Sequence, residues 1–410
     1  MQAQYPSRCL HVLNRQPWPS PKVNASKLIL HHASSSSRKQ KRLPVSYYRG
    51  GTSRALIFHL KDLPLNRADW SSIFLNALGS PDPYSRQLDG LGGGISSLSK
   101  ICIVGPSTHR DADVDYTFAA IGIKHADVDY SSNCGNMTSA IGPFAVDAGF
   151  VEVEREIRGV KTVRIHNTNT GKLIRSTFPV VDGEAEVYGG FSIDGVAGTA
   201  ARIELAFLNP AGSKTGKLLP TGKVTDVIEG IRVTCIDAGN PCVFVQAEDV
   251  KVDGTILPDA IDAHPTLLSK LESIRCKASV GMGISEDEAS TPGSIPKIAM
   301  VSKLKSHVLL SGEIMDGKSI DVVIRALSVG QPHRAVPVTV GLAVAAATNL
   351  EGSVVHNNVA KQRVDQDGLT IGHSSGKIMV GAEFDGDGNL RNATVFRTAR
   401  RLMAGTVYYK

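Results

Sequence analysis

The chain of 410 residues lacks any run approaching the ~18–20 unbroken apolar residues that a membrane-spanning helix needs. Phe, Trp and Tyr together make up only 5% of it, too few for a surface on which nucleic-acid bases stack. Acid is missing from the start: the first acidic residue is Asp62, whereas residues 1–42 hold Arg8, Arg15, Lys22, Lys27, Arg38, Lys39, Lys41 and Arg42. Setting those eight charges aside turns the formal net charge of +6 into −2 for residues 43–410. The body is nearly neutral, which removes the electrostatic case for a nucleic-acid partner. The six cysteines, Cys9, Cys102, Cys134, Cys235, Cys242 and Cys276, form no CxxC or Cys/His pair with zinc-ligand spacing. They are too few for a disulfide scaffold, so free thiols in a reducing compartment are expected.

The acid-free segment 1–43 carries SSSSRKQKR at 34–42 and no apolar stretch of the secretory kind. Its composition is that of an organellar transit peptide and predicts a mitochondrial address; the alternative is a disordered basic tail on a cytoplasmic protein.

What the chain does have is repetition. Four landmarks recur in the same order. A strand–Gly turn–strand unit appears as VSYYRGGTSRALIF (45–58) and VTCIDAGNPCVFV (233–245). A short apolar strand carrying a lysine follows, SSLSKICIV (96–104) and GSIPKIAMV (293–301). Next comes a small-residue helix, NCGNMTSAIGPFAV (133–146) and PHRAVPVTVGLAVAAA (332–347), apolar all round and therefore buried. Last is a polar turn before a strand, NTNTGKLI (167–174) and HSSGKIMV (373–380).

The segments 158–171, 185–193 and 377–385 have strand character, and TLLSKLESIRC (266–276) predicts a surface helix. The fold class that follows is α+β: two pseudo-symmetric halves, 44–208 and 226–410, each a β-rich barrel-like shell around a central helix. The Gly/Pro/Lys-rich segment 209–225 links them.

Two such halves enclose a gap, with the helix N-termini directed into it. Cys134 falls at the first helix start, where unpaired N–H groups and the helix dipole favour a thiolate; a buried, inert cysteine is the competing reading. Superposing IGPFAV (141–146) on VGLAVA (340–345) sets His333 opposite Cys134.

RGGTSRALIF, LDGLGGGISSLSKICIV, NCGNMTSAIGPFAVDAG, DAGNPCVFV, SVGQPHRA and HSSGKIMVGAEF, in this order, resemble the PrpF family over about residues 44–400. The resemblance implies a diaminopimelate-epimerase-like fold. It also implies a cofactor-independent isomerase of unsaturated di- or tricarboxylates such as aconitate, 2-methylaconitate or oxalomesaconate; no metal site is expected. Lys100 and Cys134 match the family's lysine and cysteine positions. The fold's epimerases use a cysteine in each half, and His333 occupies the second position here. The family often has Lys after RGGTS, where this chain has Arg54.

Shifting a double bond requires a base, preorganised donors for a dienolate, and exclusion of water. Lys100 is assigned as the general base and Cys134 as its acid or electrostatic partner. Ser97, Asn133, Gly135 and Asn136 are expected beside them. Gly51, Thr52, Ser53 and Arg54 are expected to bind a second carboxylate, and His333 and Arg334 a third. Lys297 would place a second cation in the gap. His373, Ser374 and Ser375 would form an oxyanion-binding turn. Arg325 would orient the site or brace the core. The partner is a small polycarboxylate, with no nucleic acid or membrane, and a homodimer is possible. Rival readings are an epimerase or racemase of a small acid, and a non-catalytic acid-binding partner of a citrate- or propionate-pathway enzyme.

Overall fold

Alternation in two strand pairs sets the architecture. The computed structural model describes residues 39–130, 133–154, 158–328 and 330–410, apart from the side chain of Ser328. The basic leader up to residue 38, with the targeting expectation built on it, lies outside the described residues.

In chain order the elements begin with β1 (Lys41–Gly50), β2 (Ser53–His59), α1 (Trp70–Leu78), β3 (Lys100–Pro106), β4 (Val114–Ile121), β5 (Val128–Asp129) and α2 (Gly135–Asp147). Then come β6 (Gly159–Asn167), β7 (Lys172–Val181), β8 (Glu184–Ala185), β9 (Ile203–Leu208) and β10 (Asp226–Ile228). The pattern restarts with β11 (Ile231–Asp237), β12 (Pro241–Gln246), α3 (Pro258–Asp262), α4 (Leu267–Gly281) and β13 (Lys297–Ser302). It ends with β14 (His307–Val308), β15 (Ile314–Met315), β16 (Val322–Ser328), β17 (Gln331–Pro332), α5 (Val338–Thr348), β18 (Leu369–His373), β19 (Gly376–Phe384), β20 (Leu390–Arg397) and β21 (Ala399–Tyr409).

The four repeated landmarks occupy equivalent places. The hairpins β1–β2 and β11–β12 are antiparallel, and each is extended by a parallel lysine-bearing strand: β3 beside β2, β13 beside β12. An antiparallel strand follows in both halves, β4 on β3 and β16 on β13. The polar turns join β6 to β7 and β18 to β19. Strands β9 and β20 pair with each other, which unites the two shells in one sheet.

The outermost strands cross over. Strand β21 returns to β1, pairing Lys41 with Tyr409 and Gly50 with Ala399, so residues 399–409 sit beside the first half's leading strand. Residues 41–43, read in sequence with the leader, belong to β1 for the same reason: the ladder to β21 holds them. The segment 185–193 is strand only over Glu184–Ala185, plus an isolated bridge from Phe191 to Ala200. Gly189 and Gly190 interrupt it, and glycine weakens a strand interior.

Side-chain parity builds the cores. Along β3, Cys102 and Val104 join the cluster around α2, whereas Ile101 and Ile103 pack outward with Trp70 and Phe74 of α1. Along β13, Ala299 and Val301 face the central cluster, and Ile298 and Met300 pack on Leu271 and Ile274 of α4. Both central helices are buried almost throughout. Helix α5 is rich in valine, a modest helix former, yet Val340, Leu342 and Val344 are fully buried. Burying each contributes about 1.5–3 kcal/mol, which outweighs a propensity cost of a few tenths per valine.

Candidate active site

The two central helices begin against each other. A Cβ added to Gly135, the first residue of α2, would come 2.9 Å from Val338 Cγ1, the first residue of α5. Cys134 is the N-cap of α2, half-buried, and Pro337 is the N-cap of α5. Pro337, rather than His333, therefore holds the cap position of the second central helix. The apolar helix bodies superpose in sequence, but the first turn of α5 starts later, after the proline.

Lys100 opens β3 on the side of Cys102, the face that looks onto α2. Its Nζ lies 5.2 Å from the Phe118 ring centroid. Burial pushes the Cys102 thiol far above its ordinary range, with a further raising influence from Cys134 and lowering ones from the Tyr116 hydroxyl and Lys100. Both expected catalytic residues thus lie near the same buried sulfur.

Lys297 opens β13 with the same parity, on the side of Ala299, and donates to the Ser294 carbonyl. His333 lies within its influence: burial first, then Lys297, lowers the imidazole pKa. His333 Nε2 is buried and has no hydrogen-bond partner among the described residues.

The helix start is tied to the β1–β2 turn. Asn136 Nδ2 donates to Thr52 Oγ1 at 3.1 Å, and its Oδ1 accepts from Arg397 Nε at 3.2 Å. Gly51, at φ +52°, leaves no room for a side chain, since a Cβ there would meet Asn136 Oδ1. Ser53 is buried and shares the helix-facing parity of Ala55. Asn133 Oδ1 accepts from Thr138 Oγ1, which also donates to the Cys134 carbonyl, so this amide oxygen braces the first turn.

Arg54 departs from expectation. It has the opposite parity to Ala55, and its guanidinium lies 5.7 Å from the Tyr47 ring centroid, on the side of β2 away from α2. Arg334 departs too: its side chain is largely exposed and stands 3.7 Å from Asp259 Oδ1. Arg325 braces the core, donating to the carbonyls of Ile256, Thr255 and Ile324.

The turn 373–376 adjoins the His333–Arg334 segment, because Ser375 Oγ donates to the Arg334 carbonyl at 2.7 Å. Ser374 Oγ is buried and has no hydrogen-bond partner among the described residues. His373 is pushed down to about 3, chiefly by burial and then by Arg325, Arg397 and His307, so it is neutral at physiological pH. From the first half, Asp194 accepts from the Lys377 N–H beside this turn, and the neighbouring Gly195 abuts Thr52. The 189–198 segment therefore touches residues of both halves.

Sequence reasoning missed Gln87 and Arg397. Gln87 is buried and accepts from Gly94 N–H and Ser99 Oγ, which shapes the glycine-rich approach to Ser97 and Lys100. Ser97 itself is half-buried in a single 3-10 turn, Ser96–Leu98.

The larger cavities open elsewhere. One of about 460 Å³ is lined by Arg67, Trp70, Tyr130 and Asn169, and another of about 450 Å³ by Arg202, Asn349, Arg363 and Asp367. Among the described residues no group of three His, Cys, Asp or Glu could hold a metal ion, and no helix is long and apolar enough to cross a membrane.

Known proteins resemble the chain over about nine-tenths of its length. A 3-methylitaconate isomerase of Eubacterium barkeri is 42% identical over 90% of this chain and 97% of its own. A 2-methyl-aconitate isomerase of Cupriavidus necator is 38% identical, again over 90% of this chain and 97% of its own. A crystal structure of a methylitaconate-delta-isomerase superposes with a TM-score of 0.83 at 40% identity, covering 91% of this chain and 96% of that one. The family model described as PrpF protein matches residues 40–410, and the chain belongs to the PrpF family.

Proposed function

We propose that this isomerase of unsaturated carboxylates moves a proton between two carbons of a di- or tricarboxylate held beside the two abutting helix starts, without a cofactor. Lys100 takes the proton and Cys134 assists its return or stabilises the dienolate. The observation that carries this reading is the parity of β3: Lys100 shares the α2-facing side with Cys102, and Cys134 caps α2. An amine and a thiol at that position can serve the two carbons of an allylic shift. Asn136 and Thr52 offer donors for one carboxylate, and the unpartnered Ser374 hydroxyl and His333 Nε2 offer a polar contact at the other end.

Similarity to a 3-methylitaconate isomerase and a 2-methyl-aconitate isomerase supports methylated itaconate- or aconitate-type acids as substrates. A two-cysteine racemase is disfavoured because Pro337 holds the second cap position. Proton NMR of the purified protein with 3-methylitaconate, 2-methylaconitate, cis-aconitate, trans-aconitate and oxalomesaconate tests the reading. Conversion of at least one acid is expected; inertness toward all five rejects it. The acid-free leader supports a mitochondrial address, and a fluorescent fusion confined to the cytosol would reject that part.

A further inference from the structure

Arg397 ends β20, a strand of the second half, but its guanidinium meets the first half's helix start. It donates through Nε to Asn136 Oδ1 at 3.2 Å and through Nη1 to the Phe396 carbonyl at 3.0 Å. Among the described residues it forms no ion pair, and it is buried, at 8% exposed. A buried cation normally has a carboxylate partner, because removing charge from water costs several kcal/mol. Burial alone lowers its pKa, to about 10, which leaves it charged at neutral pH. The contrast with the other buried arginines is direct. Arg325 is occupied by three backbone carbonyls, and Arg275 pairs with Glu272 at 2.6 Å.

The bond to Asn136 has a chemical consequence. An amide has an acceptor edge and a donor edge. With Arg397 on Oδ1, Nδ2 must face the other way, and it donates to Thr52 Oγ1 at 3.1 Å. Asn136 is the second residue of α2, in the turn whose N–H groups lack helical partners. The β1–β2 turn is held to the same strand end: Gly51 N–H donates to the Thr398 carbonyl at 2.9 Å, and Arg49 Nη1 reaches Thr398 Oγ1 at 2.9 Å.

We infer that Arg397 is a positioning residue for anion binding: it locks Asn136 with its donor edge toward Thr52 and the helix start, and supplies a positive charge that only a carboxylate of the substrate completes. The inference deepens the proposed function and rests on it. It also makes the site depend on both halves, since a second-half strand orients a first-half donor. A substrate must then carry a carboxylate at this end, and its ester or amide should bind poorly.

The test is calorimetric titration with tricarballylate, a saturated tricarboxylate that cannot isomerise, alongside steady-state kinetics. Arg397→Gln is expected to weaken binding at least tenfold, raising KM more than it lowers kcat. Asn136→Ala is expected to weaken binding as well, and the double variant should be little worse than the poorer single one, because the two act in one chain. Arg397→Lys keeps the cation and should recover affinity only in part, since an ammonium is a point charge without the guanidinium's fixed fork. Wild-type affinity in Arg397→Gln, full recovery in Arg397→Lys, or strictly additive losses would each overturn the positioning role while leaving the isomerase reading intact. Failure of the wild-type protein to bind tricarballylate and to convert any of the five acids would overturn both.

Discussion

Adding one carbon at Gly135 should wedge the two central helices apart at the point where the proposed site lies. An alanine Cβ there would stand 2.9, 3.0 and 3.1 Å from Val338 Cγ1, Cβ and Cγ2. Comfortable carbon–carbon contact is about 3.5–4.0 Å, so one or both helix starts must retreat by about 0.5–1 Å. Overpacking of this kind costs about 1–3 kcal/mol, of which the better helix propensity of alanine returns at most about 1. Gly135→Ala should therefore lose about 1–2 kcal/mol in urea unfolding. Its kcat/KM should fall at least about tenfold, because misplacing catalytic groups by about 1 Å costs up to about a hundredfold. Val338→Ala removes two of the three opposing atoms and should restore activity in the double variant, with a coupling of about 1 kcal/mol or more. A Gly135→Ala protein with unchanged stability and kcat/KM, or a double variant worse than the sum of its parts, would refute the contact between helix starts.

Three further outcomes follow from the same structure. His373 has a folded-state pKa of about 3 against 6.5 when unfolded, so the unfolded chain alone takes up its proton as the pH falls through 6.5. The contribution is complete at neutral pH and about 2 kcal/mol smaller at pH 5; His373→Asn should flatten the urea-midpoint profile between pH 7.5 and 5, and an unaltered profile contradicts this. Tyr48→Phe removes the hydroxyl that donates to Asp147 Oδ2 at 2.6 Å, where burial already raises the carboxyl pKa, and should cost about 1–3 kcal/mol at pH 7 by chemical denaturation. Arg54→Ala should leave KM within about threefold of wild type, because that side chain lies on the outer face of β2 over Tyr47; a large rise would return Arg54 to the site.

The repeated landmarks could be read from sequence because each couples a turn chemistry to a strand or helix pattern, and both survive folding unchanged. Lys100 and Lys297 were found for that reason: each begins the short apolar strand that runs parallel to a hairpin. Arg54 was misassigned because a turn does not reveal which face the next strand residue takes, and one step of parity moved it away from α2. His333 was set against Cys134 because apolar helix bodies align at several offsets, whereas the start of α5 is decided locally at Pro337. Arg397 carried no sequence signal. Its meaning is the lack of a carboxylate partner among the described residues and the reach of β20 across the halves, and both are properties of the packed chain.

The central claim is that Lys100 and Cys134 handle one substrate proton within the gap. The most direct measurement is deuterium incorporation from D2O into 3-methylitaconate and 2-methylaconitate, followed by proton NMR for wild type, Lys100→Ala and Cys134→Ala. Wild type should place deuterium at the allylic carbon as the double bond moves or isomerises. Lys100→Ala should abolish both exchange and conversion, and Cys134→Ala should slow conversion more than exchange. Exchange and conversion at wild-type rates in a folded Lys100→Ala protein would contradict the account.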